Sequence, residues 1–435
     1  MISNAIIGAG PAGLAAAREF VSANLPVLII DSYLAPGGQY WRHRQGEKFP
    51  ETGFTNLFQS PLVTWRYETS IWQIEKLPDH FILHGISKGK SEAFEVKNLL
   101  IATGALERTL PIPGWTLPGV MTAGAMQSLA KNFALSPGTE IVIAGSGPFL
   151  FPVAKSLLSL RNPPKIVGLY EMRSNLRWWR NLLGLALNPA KIQEAFAFLV
   201  SLRKSKVKVH NRKRVVRVRK SELGLTVTIR DSRNHESEVN CDSIALSHGF
   251  IPDLTIASIL KLQTRDRLGE TTVKVDQNQG TSVLRVWAAG EITGIGGHEL
   301  AMTEGVIAAR SMINSSSGKT STAFLIKLRK WRQQIFADGI NRIYRLDDSW
   351  IDWSKEDVTV CRCEEVTREE ILSSFLELGA DSARTSKLFT RAGMGMCQGR
   401  ICQRSVQDIA ARFSSEKSAT VRPIGGAVTL GELSD

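Results

Sequence analysis

AIIGAGPAGLAAAREFVSANLPVLIID, residues 5–31, reads as an apolar strand, a glycine turn, an alanine-rich helix and a second apolar strand closed by an acid. Each glycine has its own task. Gly8 permits the tight turn, Gly10 lets the backbone approach a pyrophosphate, and Gly13 lets helix pack on strand. Pro11 suits a first helical turn, where its missing N–H is not needed, and the free amides beside it, Ala12 among them, are aimed at an anion. Asp31 stands eighteen residues past the last glycine, where a carboxylate can accept hydrogen bonds from an adenosine ribose. Strand, helix and acid at this spacing predict a dinucleotide site; glycines that serve only turns are the alternative.

Residues 141–171, IVIAGSGPFLFPVAKSLLSLRNPPKIVGLYE, repeat the plan. Gly145 and Gly147 open the turn, Glu171 takes the place of the ribose-binding acid, and Arg173 is close enough to touch a phosphate. Leu150 replaces the third glycine, which would hold helix off strand, and Pro152 removes a backbone donor. Three readings stay open here: NAD(P)H as reductant, an adenine nucleotide held structurally, or an empty relic. Two such units point to an α/β protein with two Rossmann-like nucleotide-binding domains, one inserted in the other. The expected boundaries are 1–118 and 250–320 for the first, 119–249 for the second, a linker over 321–350 next to the small polar run SSSGKTST (315–322), and a small, mainly helical unit over 351–435. A length of 435 residues fits three domains of ~150 residues each.

Two further strands stop abruptly. FEVKNLLIATGALERTLPIPGW (94–115) ends its apolar run at Ala102-Thr103-Gly104, and Val283 to Ala289 stops at Gly290-Glu291. Ligands of parallel sheets lie at strand C-termini, so both stops belong to a binding site. A helix is expected from His298 to Asn314.

Composition excludes several classes. Apolar content of 43% and charged content of 22% describe a soluble globular protein. No apolar run approaches the ~20 residues that span a bilayer, and MISNAIIGAG carries neither a basic region nor a cleavage pattern, so a cytoplasmic protein without an integral membrane segment is expected. The net charge of +13 is densest over 203–220, RKSKVKVHNRKRVVRVRK, where valines and cations alternate as along a strand. That run is a solvated sheet face or a surface for an acidic partner; without a helix-turn-helix, zinc-finger or RNP pattern, nucleic acid is not expected.

Four of the five cysteines fall in the last 75 residues, as Cys361-Arg362-Cys363 and, after 33 intervening residues, Cys397-Gln398-Gly399-Arg400-Ile401-Cys402. Two close thiolate pairs can ligate a 2Fe-2S cluster or structural zinc, or stay unliganded. A helix capped by Thr367 is expected between them. Cys241 reads as a core residue.

The three motifs at Gly8, Ala102-Thr103-Gly104 and Gly290-Glu291 resemble those of the two-dinucleotide-binding flavoproteins. That resemblance implies FAD in the first site, the ribityl chain held at Glu291, and Gly38 and Gln39 of the Gly37-Gly38-Gln39 loop near the flavin, with Thr103 and Gly104 against it. The terminal cysteines resemble a bacterioferritin-associated-ferredoxin (BFD)-like domain, which implies a 2Fe-2S cluster on Cys361, Cys363, Cys397 and Cys402. Neither half shows a CxxC pair, which argues against dithiol chemistry at the flavin. Taken with Gly294-Ile295-Gly296-Gly297 and TRAGMGMCQGRIC (390–402), the whole chain resembles the alpha subunits of heteromeric opine oxidases, hydrogen cyanide synthase and related amino-acid dehydrogenases. The resemblance implies an oxidoreductase subunit that passes electrons on from a second, amino-acid-oxidase-like flavoprotein subunit that oxidises an amine or imino acid; a further candidate partner is a small ferredoxin-like subunit. A self-contained NAD(P)H-dependent reductase, and a zinc-bearing scaffold without turnover, are the competing readings. No residue reads as a catalytic acid or base; His298, beside the flavin-side loop, is read as loop packing or as a proton or electrostatic aid.

Overall fold

The computed structural model describes residues 1–44, 46–222, 224–317, 324–346, 348–353, 357–414 and 424–433. A first sheet is parallel through Val63–Arg66, Val27–Ile30, Ile2–Ile7 and Lys90–Ile101, with Val286–Ala288 added along the last three residues of Lys90–Ile101. Strand Lys90–Ile101 does double duty: its first half pairs antiparallel with Phe81–Ser87, which pairs in turn with Thr69–Lys76. Its exposure follows suit, alternating through the ribbon half and buried throughout at Asn98–Ile101 where layers cover both faces.

Helix Pro11–Ser22 packs on one face of this sheet against helix His298–Ser317. Their contact needs small residues, for a Cβ on Gly305 would lie 2.1 Å from the Ala12 carbonyl oxygen. The second sheet is parallel throughout, in the order Val209–Asn211, Lys165–Glu171, Glu140–Gly145, Ser243–Ser247, Val120–Thr122. Two short antiparallel strands, Ala105–Glu107 and Phe250–Pro252, join the sheets.

Two expectations need correction. The basic run is not one strand: Arg203 and Lys204 end a helix, Val209–Asn211 edges the second sheet, and Lys213–Ser221 starts a separate antiparallel sheet. A bulge between Val215 and Arg217 breaks its alternation, so Val215 and Val216 are both buried. Two arginines of this three-stranded sheet, Arg219 and Arg230, pair with Glu238 and Glu236 of its third strand, as on a solvated face. Nor is 321–350 a linker. Residues 324–344 form helix Phe324–Tyr344, which packs on helix Leu182–Leu187; Ser315–Ser317 are helical, and 318–323 lie outside the described residues. Apolar residues at helical spacing, Leu328, Trp331, Ile335 and Phe336, carry that signal.

The cysteine unit has two short strands, Thr359–Cys361 and Val366–Thr367, and helices Arg368–Leu376, Ala383–Thr390 and Gln403–Ala410. Thr367 caps the first helix as expected, in a reciprocal capping box with Glu370. The unit shares one apolar core with the second sheet and the three-stranded sheet, in which Val142, Val215 and Val218 join Trp350, Ile371, Val406 and Ile409. Among the described residues no helix is long and apolar enough to cross a membrane.

Candidate flavin and cluster sites

The glycine turn, the two strand stops and the inter-sheet strands enclose a cavity of about 1300 Å³. Gly8 has φ of +108°, and a Cβ there would stand 2.3 Å from the Ala102 carbonyl oxygen. This is why strand Lys90–Ile101 ends small, since the turn crosses directly over Ala102. Gly13 lies under the turn, where a Cβ would meet the Gly8 carbonyl oxygen at 1.9 Å. Gly10 caps helix Pro11–Ser22 without a side-chain hydrogen bond, leaving the first helical amides to an external acceptor. Gly38 abuts it, with a Cβ there falling 2.9 Å from the Gly10 Cα. A pyrophosphate fits this bare-backbone gate, which side chains would fill.

The other expected residues gather round the same space. Gly8, Gly10, Pro11, Ala12, Asp31, Gly38, Gln39, Thr103, Gly104, Gly290 and Glu291 all line the cavity, while Gly13 only packs. Asp31 accepts from the Ala9 amide at 2.6 Å and the Tyr33 amide at 2.7 Å, and burial raises its pKa. Thr103 donates to the Asp253 carbonyl at 3.1 Å. Glu291 turns its side chain back to accept from the Gly297 amide at 2.7 Å; burial pushes its carboxyl up to about 7. His298 stacks on Tyr40, ring centroids 3.8 Å apart.

Glu304 escaped the sequence reading. Only 3% exposed, it accepts from the Gly290 amide and the Thr293 hydroxyl at 2.9 and 2.8 Å and pairs with Lys330. It thus fixes the turn that presents Glu291. An acid on the apolar side of an otherwise core-facing helix was the available signal.

The second glycine turn departs from the first. Gly145 is crowded, since a Cβ would lie 1.7 Å from the Ser247 carbonyl oxygen, whereas Gly147 faces open space. Leu150 is fully buried and starts the helix Leu150–Leu158, so the helix begins two residues later in the motif than in the first unit, at the position of Gly13 instead of Pro11. Glu171 is 2% exposed and does not line the cavity; it accepts from the amides of Gly147 at 3.0 Å and Arg173 at 2.8 Å. The amide that would greet a phosphate is thereby taken. Arg173 donates to the Arg345 carbonyl, and Trp178 donates to the Tyr344 hydroxyl at 3.1 Å, so the end of helix Phe324–Tyr344 stands beside this turn, whose Ser146, Gly147 and Pro148 line the same cavity.

Burial raises Glu171 to about 7 from 4.5. An acid whose folded pKa exceeds its unfolded one holds a proton that the unfolded chain has lost, so stability falls as pH rises from about 4.5 to 7 and then levels off. The shift corresponds to roughly 3 kcal/mol. Urea denaturation at pH 5 and 7.5 is expected to show a smaller pH difference for Glu171→Gln than for the parent; an equal difference would discount this carboxyl.

The four terminal cysteines come together as two pairs. Cys361 and Cys402 are 1% and 2% exposed and within hydrogen-bonding reach, as are Cys363, which is exposed, and Cys397. Left-handed Gln398 and Gly399 fold the four intervening residues into a turn. A Cβ on Gly395 would lie 2.4 Å from that of Cys363, so the loop closes tightly over the thiols. Among the described residues no group of three or more His, Cys, Asp or Glu is set to hold a single metal ion; two facing thiol pairs suit the two irons of a cluster. Cys241 is buried in the core, its thiol pushed up to about 11 by burial.

Arg108, 4% exposed, ties this unit to the flavin side through Asp408 and Glu270, and Arg404 bridges the same two acids. Thr109 donates to the Ile401 carbonyl at 2.9 Å, next to Cys402. Arg400, inside the Cys397–Cys402 loop, lines the same cavity as Gly104 and Glu291.

Comparison with known proteins agrees with this geometry. Residues 3–309 match the pyridine nucleotide-disulphide oxidoreductase family and residues 359–412 the BFD-like [2Fe-2S] binding domain. The chain is 30% identical to an opine oxidase subunit of Rhizobium meliloti (strain 1021), over 99% of this chain and 98% of that one. It is 29% identical to hydrogen cyanide synthase subunit HcnB of Pseudomonas aeruginosa, over 91% and 90%. Its fold resembles that of L-proline dehydrogenase from P. horikoshii, with a TM-score of 0.69 at 19% identity, covering 99% of this chain and 79% of that one. The chain therefore belongs to the pyridine nucleotide-disulphide oxidoreductase family, with FAD as the cofactor of its first site and a BFD-like 2Fe-2S domain at its cysteines.

Proposed function

We propose that the chain is the electron-transferring subunit of a cytoplasmic multisubunit dehydrogenase or oxidase that oxidises the C–N bond of an amino acid, imino acid or opine. The observation that carries this reading is that Arg400 of the cluster loop and the flavin-site turns line one cavity. FAD accepts two electrons together, whereas a 2Fe-2S centre carries one, so the pair can divide a hydride's electrons. The chain's own residues hold and space these groups: the glycine gate grips the pyrophosphate, Glu304 sets the Gly290 turn, and the Arg108–Asp408–Glu270–Arg404 network fixes the cluster unit at its distance.

The partner is a second, amino-acid-oxidase-like flavoprotein subunit, and a small ferredoxin-like subunit is a further candidate. Trp179, Leu182, Leu183, Phe196 and Trp331 are all more than half exposed, on segments 175–204 and 324–344. Apolar exposure of this extent marks an interaction surface. Leu185, Ala195, Phe198 and Phe336 of the same segments wall the cavity, so a partner seated there meets its rim.

In this reading the second site brings in no reductant of its own, which the use of its Gly147 amide by Glu171 supports. Anaerobic mixing of the isolated chain with NADH or NADPH is expected to leave the flavin oxidised, whereas adding amino-acid substrate to the co-purified complex bleaches it. Rapid bleaching by either nucleotide would establish the self-contained reductase instead.

A further inference from the structure

Two cations face the flavin cavity with no carboxylate in ion-pair contact with either among the described residues. Arg42 follows the Gly38 turn, and Lys131 comes from helix Ala123–Phe133 of the second unit; both line the cavity. Their contacts are neutral. Arg42 donates to Ser128 Oγ at 2.6 Å and lies over the Tyr33 ring, 4.1 Å from its centroid, while Lys131 donates to the Tyr40 carbonyl at 2.9 Å. Among the described residues neither forms an ion pair, and the shielded Arg42 Nε has no hydrogen-bond partner. Asp31, just past strand Val27–Ile30, attracts Arg42 without an ion-pair contact and already has both oxygens held by backbone amides.

Half-buried like charges side by side are unfavourable unless an anion sits with them. Burial and then Arg42 lower Lys131 to about 8, a cost that a bound anion would reverse. Position says which anion. Asp31 and Tyr33 mark the ribose end of the cavity and the Gly10–Gly38 gate marks the phosphate passage; Arg42, over Tyr33 and a turn from Gly38, stands between them.

We propose that Arg42 and Lys131 form a cationic clamp on the pyrophosphate of the bound FAD, one cation from each nucleotide-binding unit. The clamp rests on the flavin assignment of the first site. It makes the second unit part of the flavin site whether or not that unit binds a nucleotide of its own. Arginine supplies planar paired donors and lysine a point charge, a combination suited to a diphosphate.

The test uses the full-length holoprotein. FAD release after dilution is followed by flavin fluorescence over a range of salt, for the parent, Arg42→Gln, Lys131→Gln and Lys131→Arg, and each emptied chain is then offered riboflavin, which has no phosphate. Release at least tenfold faster in both glutamine variants, with a weaker salt dependence, unchanged riboflavin binding and recovery in Lys131→Arg, supports the clamp. Unchanged FAD release overturns it. Riboflavin binding weakened as much as FAD binding also overturns it, by showing that the residues only shape the pocket. Unchanged release with a raised KM for the amino acid in the complex overturns it in favour of a substrate carboxylate. A parent chain that never carries flavin would instead remove the flavin assignment, a failure distinguishable from all of these.

Discussion

Replacing Cys402 by serine is expected to abolish the iron–sulfur signature of the chain while leaving its flavin spectrum in place. Cys402 and Cys361 are almost wholly buried and face each other, so no water can complete an iron shell from which one of them is missing. A serine hydroxyl stays protonated where a thiol would give up its proton to metal. Cys361→Ser should behave alike. Cys363→Ser, at the exposed edge, should keep part of its cluster, because solvent reaches that corner. Acid-labile sulfide and the electron paramagnetic resonance of the reduced protein measure the loss, and electron delivery to a one-electron acceptor should fall with it. Full sulfide content in Cys402→Ser would remove that residue from the ligand set.

Gly13→Ala is expected to produce a chain free of FAD and less stable by about 3 kcal/mol, the upper range for forcing an extra methyl into a packed site. The new Cβ would fall 1.9 Å from the Gly8 carbonyl oxygen, so either helix Pro11–Ser22 withdraws or the turn opens, and each movement spoils the pyrophosphate gate. Gly147→Ala is the control. Open space surrounds that position, and only its φ of +116° resists a side chain, so it should cost about 1–2 kcal/mol and leave the FAD content unchanged. The flavin-to-protein absorbance ratio and the melting temperature report both effects. A Gly13→Ala chain with a full complement of FAD would show that helix and strand need not approach so closely.

The flavin site was legible because its requirements are local. A turn with a positive φ, a backbone crossing and a bare helix start each demand glycine, and glycine is visible in a sequence. The cysteine pairs were legible for the same reason. Glu304, Arg42 and Lys131 were not, since each acts through contacts made only when distant elements meet, Lys131 reaching Tyr40 from a helix of the second unit. Helix Phe324–Tyr344 was hidden by the polar run before it and by its own charges, which drew attention from the apolar positions between them. The basic run misled differently: the period of two was read across a helix end and two strands of different sheets, and a bulge then shifted its phase.

Strand Lys90–Ile101 accepts its last neighbour, Val286–Ala288, only after the entire inserted unit has been synthesised. Residues that close the cradle, Gly290 and Glu291, thus leave the ribosome long after the turn at Gly8. Cofactor capture is therefore a late step in biogenesis, gated by maturation of the insert, and premature termination inside the insert yields an open-edged half-sheet destined for proteolysis rather than a smaller flavoprotein.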